Sequence, residues 1–469
     1  MDESDSLSPA ARSPDRKRAT LTLLRRNADF RLLFVAMVIS FAGDWFLFVA
    51  LAGLLFELTH SPGLVAALFA AMTIPFALFT FIGGPLADRL NRQWLMVSAD
   101  LLRGVLALGF LLINHRSEVW MVFALTAAIA ALQAVFEPAA TASIPNLVDR
   151  EDLASANVLA AATWGTMLAV GSSIGGLVVA AFGRNAGYIG DAASFIVSAM
   201  LVLRIRRPFA EPREDHEEHP GLFTASKETL RYARRDHRVL ALLTVKGGFG
   251  LGAGVIALLP LMSFEVFNAG DRGTGILYGF RGVGIVLGPF LVRPFIKDED
   301  LRTVFWGIAA AFALFAVSYG AGAWMPSIYL AGALVLIGHL GGGVQWTLSS
   351  YALQVIVPDR IRGRIFAFDE ALISVTIAAS AGLAGWAAEY FDVRHVMFGL
   401  ACVAGAYSVI WTLGTGRIRR SIGLRSAMAG GPEGQGPEPP LDSGAAGAPP
   451  VPGGTSGGGP GSGGEPAGG

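Results

Sequence analysis

The apolar residues of this chain fall in twelve blocks, each long enough to cross a lipid bilayer as a helix. The blocks run over 30–56, 63–83, 95–113, 118–140, 155–182, 187–204, 239–266, 274–296, 303–323, 327–357, 364–388 and 395–414. About 20 mostly apolar residues span the hydrocarbon core. A water-soluble domain has no place to bury so many helices that are apolar all round. A spanning β-barrel needs short alternating strands, and these runs are long and do not alternate. Only 15% of the residues are charged, against roughly a quarter in soluble domains. The expected fold class is an all-α membrane protein with twelve transmembrane helices.

The formal net charge is zero, but the basic residues are segregated. One face collects the arginines and lysine between Arg12 and Arg26, then Arg89, Arg92 and Arg150. It also takes the basic residues of 204–238, Arg293, Lys297, Arg302, Arg360, Arg362, Arg364 and those from Arg417 to Arg425. The opposite face has only Arg116, Arg184, Arg272 and Arg394. The positive-inside rule then puts both termini in the cytoplasm and the chain in the plasma (inner) membrane. The short loops alone give the same orientation. The polar start lacks the apolar core of a signal peptide, so 1–28 is expected to be a disordered cytoplasmic arm. Residues 416–469 become Gly-, Pro-, Ala- and Ser-rich from about Ala427 and are expected to be a disordered tail. The lone Cys402 allows no intramolecular disulfide.

A polar segment, 205–238, divides the blocks six and six, giving halves 29–204 and 239–415. It contains EPREDHEEHP, read as a solvated acidic loop rather than a metal site, followed by KETLRYARRDHRVL, expected to form an amphipathic helix near anionic lipid. The halves repeat weakly. Gly84-Pro85 ends block two and Gly288-Pro289 ends block eight. Ile144-Pro145 with Asp149-Arg150 follows block four, and Val357-Pro358-Asp359-Arg360 follows block ten. Duplicated halves point to a substrate site between them near the midplane.

Between blocks two and three stands Gly84-Pro85-Leu86-Ala87-Asp88-Arg89-Leu90-Asn91-Arg92. This resembles the cytoplasmic signature of the major facilitator superfamily. Gly84 is expected to permit close helix packing. Asp88 is expected to receive the positive end of a neighbouring helix, which the resemblance makes the eleventh. Arg92 would pair with a carboxylate on a nearby loop, with Glu137 as the candidate. Asn91 stands where the family usually has Gly, as the next-best residue for a left-handed turn. Asp100 and Arg103, one turn apart, are read as an intrahelical pair ordering the gate beside this loop, and Asp369 and Glu370 as further members of the same latch. The latch set is thus Gly84, Asp88, Arg89, Arg92, Asp100, Arg103, Glu137, Asp369 and Glu370.

Gly43-Asp44, Glu57 to Pro62, Asp100 to Arg103, Phe136-Glu137-Pro138, Ala156-Asn157, Ser172 to Gly176 and Arg362-Gly363-Arg364-Ile365-Phe366 extend the likeness over about 28–415. The pattern is similar to the branch holding enterobactin-type siderophore exporters, macrolide-efflux proteins and lysophospholipid transporters. It implies two pseudo-symmetric six-helix halves and transport of a small molecule. Many drug/proton antiporters of this superfamily carry an Arg in the fourth helix. Here block four has none, and Gln133 is its strongly polar interior residue. Gly171-Ser172-Ser173-Ile174-Gly175-Gly176 also lacks the Pro of the antiporter motif. Proton coupling therefore rests mainly on Asp44.

Ionisable groups within a span are costly and usually face a cavity or a partner. Asp44 sits halfway along the first helix and suits a group that gains and loses a proton in each cycle. Trp45 beside it is the aromatic expected to line a pocket. Arg281, midway in the eighth helix, cannot be neutralised and needs a carboxylate or an anionic ligand. Asp44 is a candidate partner across the halves. Asp191 is a cavity-facing candidate, and Lys246 is expected to snorkel or pair. His339 is a proton-relay candidate, with a packed neutral histidine as the competing reading. Glycines 247 to 254 in the seventh helix suit close packing and bending.

The resulting expectation is a secondary exporter of amphipathic small molecules, such as drugs or siderophores, coupled to protons by alternating access. Its partners are the substrate, protons and the bilayer, with no nucleic acid, metal or cofactor, and a monomer is expected. An uptake carrier or lysophospholipid facilitator of the same fold is the alternative. A membrane enzyme or sensor is remote, because no phosphate-binding loop, paired-His metal motif or nucleophile elbow occurs.

Overall fold

A computed structural model of the protein describes residues 22–209, 231–232, 234–292 and 301–421. The arm before Thr22, the acidic stretch with two histidines, most of the expected amphipathic helix and the Gly/Pro-rich tail lie outside the described residues. Among the described residues, twelve helices are long and apolar enough to cross a membrane. They are α1 (Ala28–Thr59), α2 (Pro62–Arg89), α3 (Arg92–Gly109), α4 (Val119–Leu147), α5 (Leu153–Phe182) and α6 (Arg184–Leu203). The second set is α7 (His237–Val266), α8 (Gly270–Leu287), α9 (Leu301–Gly322), α10 (Ile328–Ile356), α11 (Asp359–Ala388) and α12 (Val393–Gly414).

Local chemistry sets the helix ends. Asn27 caps α1 by accepting the Phe30 N–H. His60 stops α1 in the left-handed region at φ 50°, and its own N–H reaches Phe56 O. Ser61 then caps α2, with Pro62 at the first helical position. Two expectations for the signature loop are corrected. Asn91 adopts φ −65° and ψ 111° and caps α3 by accepting the Trp94 N–H, so it supplies a helix start and not a left-handed turn. The close approach expected at Gly84 occurs at Gly83, where an added Cβ would strike Ala134 O of α4; at Gly84 it would meet nothing within 4 Å. Helix α2 also runs through Pro85 to Arg89 and does not stop at the Gly-Pro pair.

α7 is not a continuous rod. Its regular turns break at Ala253 and Leu258 and end in a π-turn over Met262–Val266. Ser380 of α11 bridges the break, taking the Gly254 N–H at 2.9 Å and donating to Leu251 O at 2.5 Å. A neighbouring hydroxyl satisfies backbone groups that water cannot reach in a membrane.

Helices α1–α6 pack among themselves, as do α7–α12, and the halves meet along α5–α8 and α2–α11. The α5–α8 seam is built from small residues. Gly176 faces Gly275, Gly279 lies on Ser173, and a side chain at Gly282 would overlap the backbone N of Ala169. Without a hydrophobic drive between helices in lipid, such close contact supplies the attraction. On the other seam Gly385 rests on Gly63 and Ala66.

Candidate functional site

Asp44 stands at the midpoint of α1, next to Gly43. An added Cβ at Gly43 would collide with Ser194 and with Asp191 Oδ1, so the missing side chain lets α6 pack directly over this turn. Into the same space α3 sends Arg103. Its Nη2 straddles the Asp44 carboxylate, donating at 2.7 Å to Oδ1 and 2.9 Å to Oδ2. Its Nη1 donates to Ser40 Oγ and to Asp100 Oδ1, both at 3.2 Å. The guanidinium lies 4.0 Å over the Phe195 ring.

Asp191 of α6 is fully buried, and neither of its carboxyl oxygens accepts a hydrogen bond. The nearby Ser194 hydroxyl donates to the Asp191 backbone O at 2.7 Å. Arg103 thus pairs with two carboxylates, Asp44 and Asp100, and Asp191 is close enough for its charge to act on the same guanidinium. The side chains of Arg103 and Asp100 have no exposure, whereas that of Asp44 keeps 12%. Asp44 is therefore the member of this pairing that borders accessible space.

Asp44, the candidate partner of Arg281, is taken by another group. Arg103, 59 residues along the chain, takes Asp44, and Arg281 donates through Nε to His339 Nε2 at 3.2 Å. His339 must then present an unprotonated Nε2, with its hydrogen on Nδ1, which lies 3.1 Å from the Tyr319 hydroxyl and 3.3 Å from Val335 O. This is a packed neutral imidazole. Trp45 contacts Trp164 at 6.1 Å and Tyr278 of the other half at 5.8 Å between ring centroids. Phe48 meets Tyr278 at 4.9 Å. Trp164 is 41% exposed, so this aromatic group also opens to accessible space.

The residues grouped as a latch do not come together as one set. The described bonds of Arg92 go to the carbonyls of Ala87, Ala142 and Phe209, at 3.0, 2.7 and 3.1 Å. Glu137 takes a bond from Gln133 at 2.8 Å. Asp369 is buried in an ion pair with Lys246 of α7, whose ammonium also donates to Ser350 at 3.0 Å and sits 4.7 Å over Trp346. Glu370 is exposed and close enough to Glu137 for their charges to interact. Arg89 is exposed, and the Asp88 side chain lies outside the described residues.

Sequence reasoning missed the contacts that join the halves at the α1–α2 end. Glu389, the residue that caps the end of α11, accepts from the Ser61 hydroxyl and, at 2.8 Å, from the Gly63 N–H. Arg184 of α6 pairs with Glu57 and reaches Asp271 of α8 at 3.4 Å. These partners lie 87 to 328 residues apart. The visible signal was the charge of Glu57, Arg184, Asp271 and Glu389 at helix ends on one face.

Twelve helices in two halves, meeting along α5–α8 and α2–α11 around mid-depth charged side chains, define a membrane transporter of the major facilitator type. The family model for transmembrane secretion effectors matches residues 19–416, and the chain belongs to that family. YfiS of Bacillus subtilis strain 168, an MFS-type transporter, is 22% identical over 408 residues, covering 84% of this chain and 94% of YfiS. BacE of Bacillus subtilis, named a putative bacilysin exporter, is 26% identical over 365 residues, covering 77% of this chain and 88% of BacE. Among solved structures, a bacterial homologue of the human lysosomal transporter Spinster, inward-facing and unoccupied, superposes with a TM-score of 0.65 at 15% identity. It covers 88% of this chain and 99% of that one. The nucleoside transporter NupG gives 0.64 at 13% identity, over 84% and 98%. These two likenesses concern the fold alone. The chain is a multi-pass membrane transporter and not an enzyme.

Proposed function

We propose that this protein is a secondary exporter that moves amphipathic small molecules out of the cell in exchange for protons. The observation that carries the coupling is the buried cluster of Asp44, Asp100 and Asp191 around Arg103. With all three carboxyls ionised the cluster would hold two uncompensated negative charges in a site without bulk water, which is costly. A proton is the cheapest compensating charge. It enters at Asp44, the exposed member of the ion pair. Its arrival ends the bidentate grip on Arg103, and the guanidinium has acceptors waiting in Asp191 and in Asp100 Oδ2, which are unoccupied. Because Asp44, Arg103 and Asp191 sit on α1, α3 and α6, exchanging partners favours a different packing of these helices.

Export is supported by membership in the secretion-effector family and by the exporter name of BacE. By the charge bias, the α1–α2 end faces outward in the plasma membrane. Glu389 and Arg184 then seal the outer end, and this conformation is the one that loads from the cytoplasm. Everted membrane vesicles test the direction. With an acidic lumen, vesicles carrying the protein should accumulate at least one compound from a panel of bacilysin, a macrolide and a catecholate siderophore. Asp44→Asn should abolish the accumulation. Uptake by intact cells in place of accumulation by everted vesicles rejects export, and full accumulation by Asp44→Asn rejects the coupling site.

A further inference from the structure

The second half holds a buried cation that no carboxylate answers among the described residues. Arg281 of α8 is 6% exposed. Its Nε is used by His339, and its Nη1 is buried with no hydrogen-bond partner. Around it stand Tyr278, whose ring centroid is 5.4 Å from the guanidinium carbon, and Tyr319 behind His339. All three neighbours are uncharged. The contrast with Arg103, which has Asp44 and Asp100 within hydrogen-bond distance, is direct.

An arginine cannot shed its charge as a buried lysine can. An unpaired guanidinium in a low-dielectric site is unstable unless something charged completes it. Position identifies what completes it. Arg281 is eleven residues into α8, about 16 Å deep in a hydrocarbon core of about 30 Å. One turn earlier on the same helix, Tyr278 packs against Trp45 and Phe48 of the first half. The unpaired N–H therefore lies at mid-depth, beside an aromatic wall built by both halves.

We propose that Arg281 is the anion-binding group of the transport site, and that the substrate carries a carboxylate on an apolar or aromatic body. A carboxylate is favoured over a phosphate because one buried Nη is unused, Nε is occupied, and the surrounding groups are rings. Only the word substrate in this assignment rests on the transport reading. The anion site itself is tested at equilibrium, without a gradient.

The full chain in lipid nanodiscs is titrated with N-acetylphenylalanine and with its uncharged amide, following tryptophan fluorescence, since Trp45 touches Tyr278. A hydrogen bond to a charged group contributes about 1.5–3 kcal/mol, so the carboxylate should bind at least about tenfold more tightly than the amide. Arg281→Gln should erase that preference, and Arg281→Lys should keep part of it. Equal binding of acid and amide to the unaltered protein, or no saturable binding of the acid, overturns the proposal whatever the variants do. An undiminished preference in Arg281→Gln does the same, and stronger binding of phenyl phosphate than of the acid overturns the carboxylate assignment. Failure here leaves the vesicle direction test untouched, and failure there leaves this binding result standing.

Discussion

Removing Asp44 and Arg103 together should cost far less stability than the sum of removing each. In the intact protein, Arg103 Nη2 holds both Asp44 oxygens, at 2.7 and 2.9 Å. Losing one partner of a buried pair typically costs about 3–5 kcal/mol, much of it the penalty on the stranded charge. Asp44 keeps 12% exposure and Arg103 retains Asp100, so Asp44→Asn should fall at the low end, about 3 kcal/mol. Arg103→Gln strands the acids and should cost a similar amount. The double variant removes one positive and one negative charge, and the interaction energy should be about 2–3 kcal/mol. Asp100 meets Arg103 through one 3.2 Å bond on the same helix, so the Asp100→Asn cycle with Arg103→Gln should give about 1 kcal/mol. Reversible unfolding in mixed micelles measures both cycles. Additivity within about 0.5 kcal/mol for Asp44 and Arg103, or stronger coupling through Asp100, refutes this description of the cluster.

Glu389→Ala removes the acceptor for the Ser61 hydroxyl and the Gly63 N–H. At an exposed site this costs about 1 kcal/mol, a shift of about fivefold toward opening at that end. Maleimide labelling of Ala66→Cys in a Cys402→Ser background should quicken by that factor, and an unchanged rate removes Glu389 from the seal. Gly282→Val would push a side chain into the backbone N of Ala169, which cannot rotate away. The cost should exceed the usual overpacking penalty of about 1–3 kcal/mol, while Gly279→Ala clashes with the movable Ser173 hydroxyl and keeps ordinary contact distances to Ser173 Cβ and Ala169 O. Thermal unfolding compares them, and equal melting of Gly282→Val and the unaltered protein contradicts the seam. Asp236 caps α7, and its hydrogen bonds to Arg238 hold its carboxyl below the ordinary range. Asp236→Ala should cost about 0.5–1 kcal/mol at neutral pH, discounted because Arg238 is partly exposed. The lowered folded value means this contribution is complete above the unfolded value of about 3.9 and is lost as pH falls through the folded one. The melting difference should therefore narrow on acidification, and a constant difference from neutral to strongly acidic pH contradicts it.

The helices were legible because each is an unbroken apolar block, a property of local sequence. Block two showed a limit, since Gly84-Pro85 reads as a stop and α2 continues to Arg89. Prolines are tolerated in spanning helices when neighbours satisfy the freed groups. Asn91 was ambiguous for a different reason. Asparagine suits both a left-handed turn and a helix cap, and the following turn of α3 decided for the cap. The candidate site was half legible. Asp44, Asp191 and Arg281 stood out because charge is expensive in a span, but cost alone does not name partners. Arg103 faces Asp100 one turn away and Asp44 across 59 residues, and only the first relation is written in helical spacing. Lys246 with Asp369 and Ser61 with Glu389 were hidden for the same reason.

Proton movement driven by the transported compound shows whether Asp44 couples the two fluxes. Purified protein is reconstituted in liposomes enclosing a pH-sensitive dye, and a compound that everted vesicles accumulate is applied as a gradient with no initial pH difference. Protons should move opposite to the compound in the unaltered protein, and none should move in Asp44→Asn. Compound flux without proton movement, or equal proton movement in Asp44→Asn, would contradict coupling through Asp44.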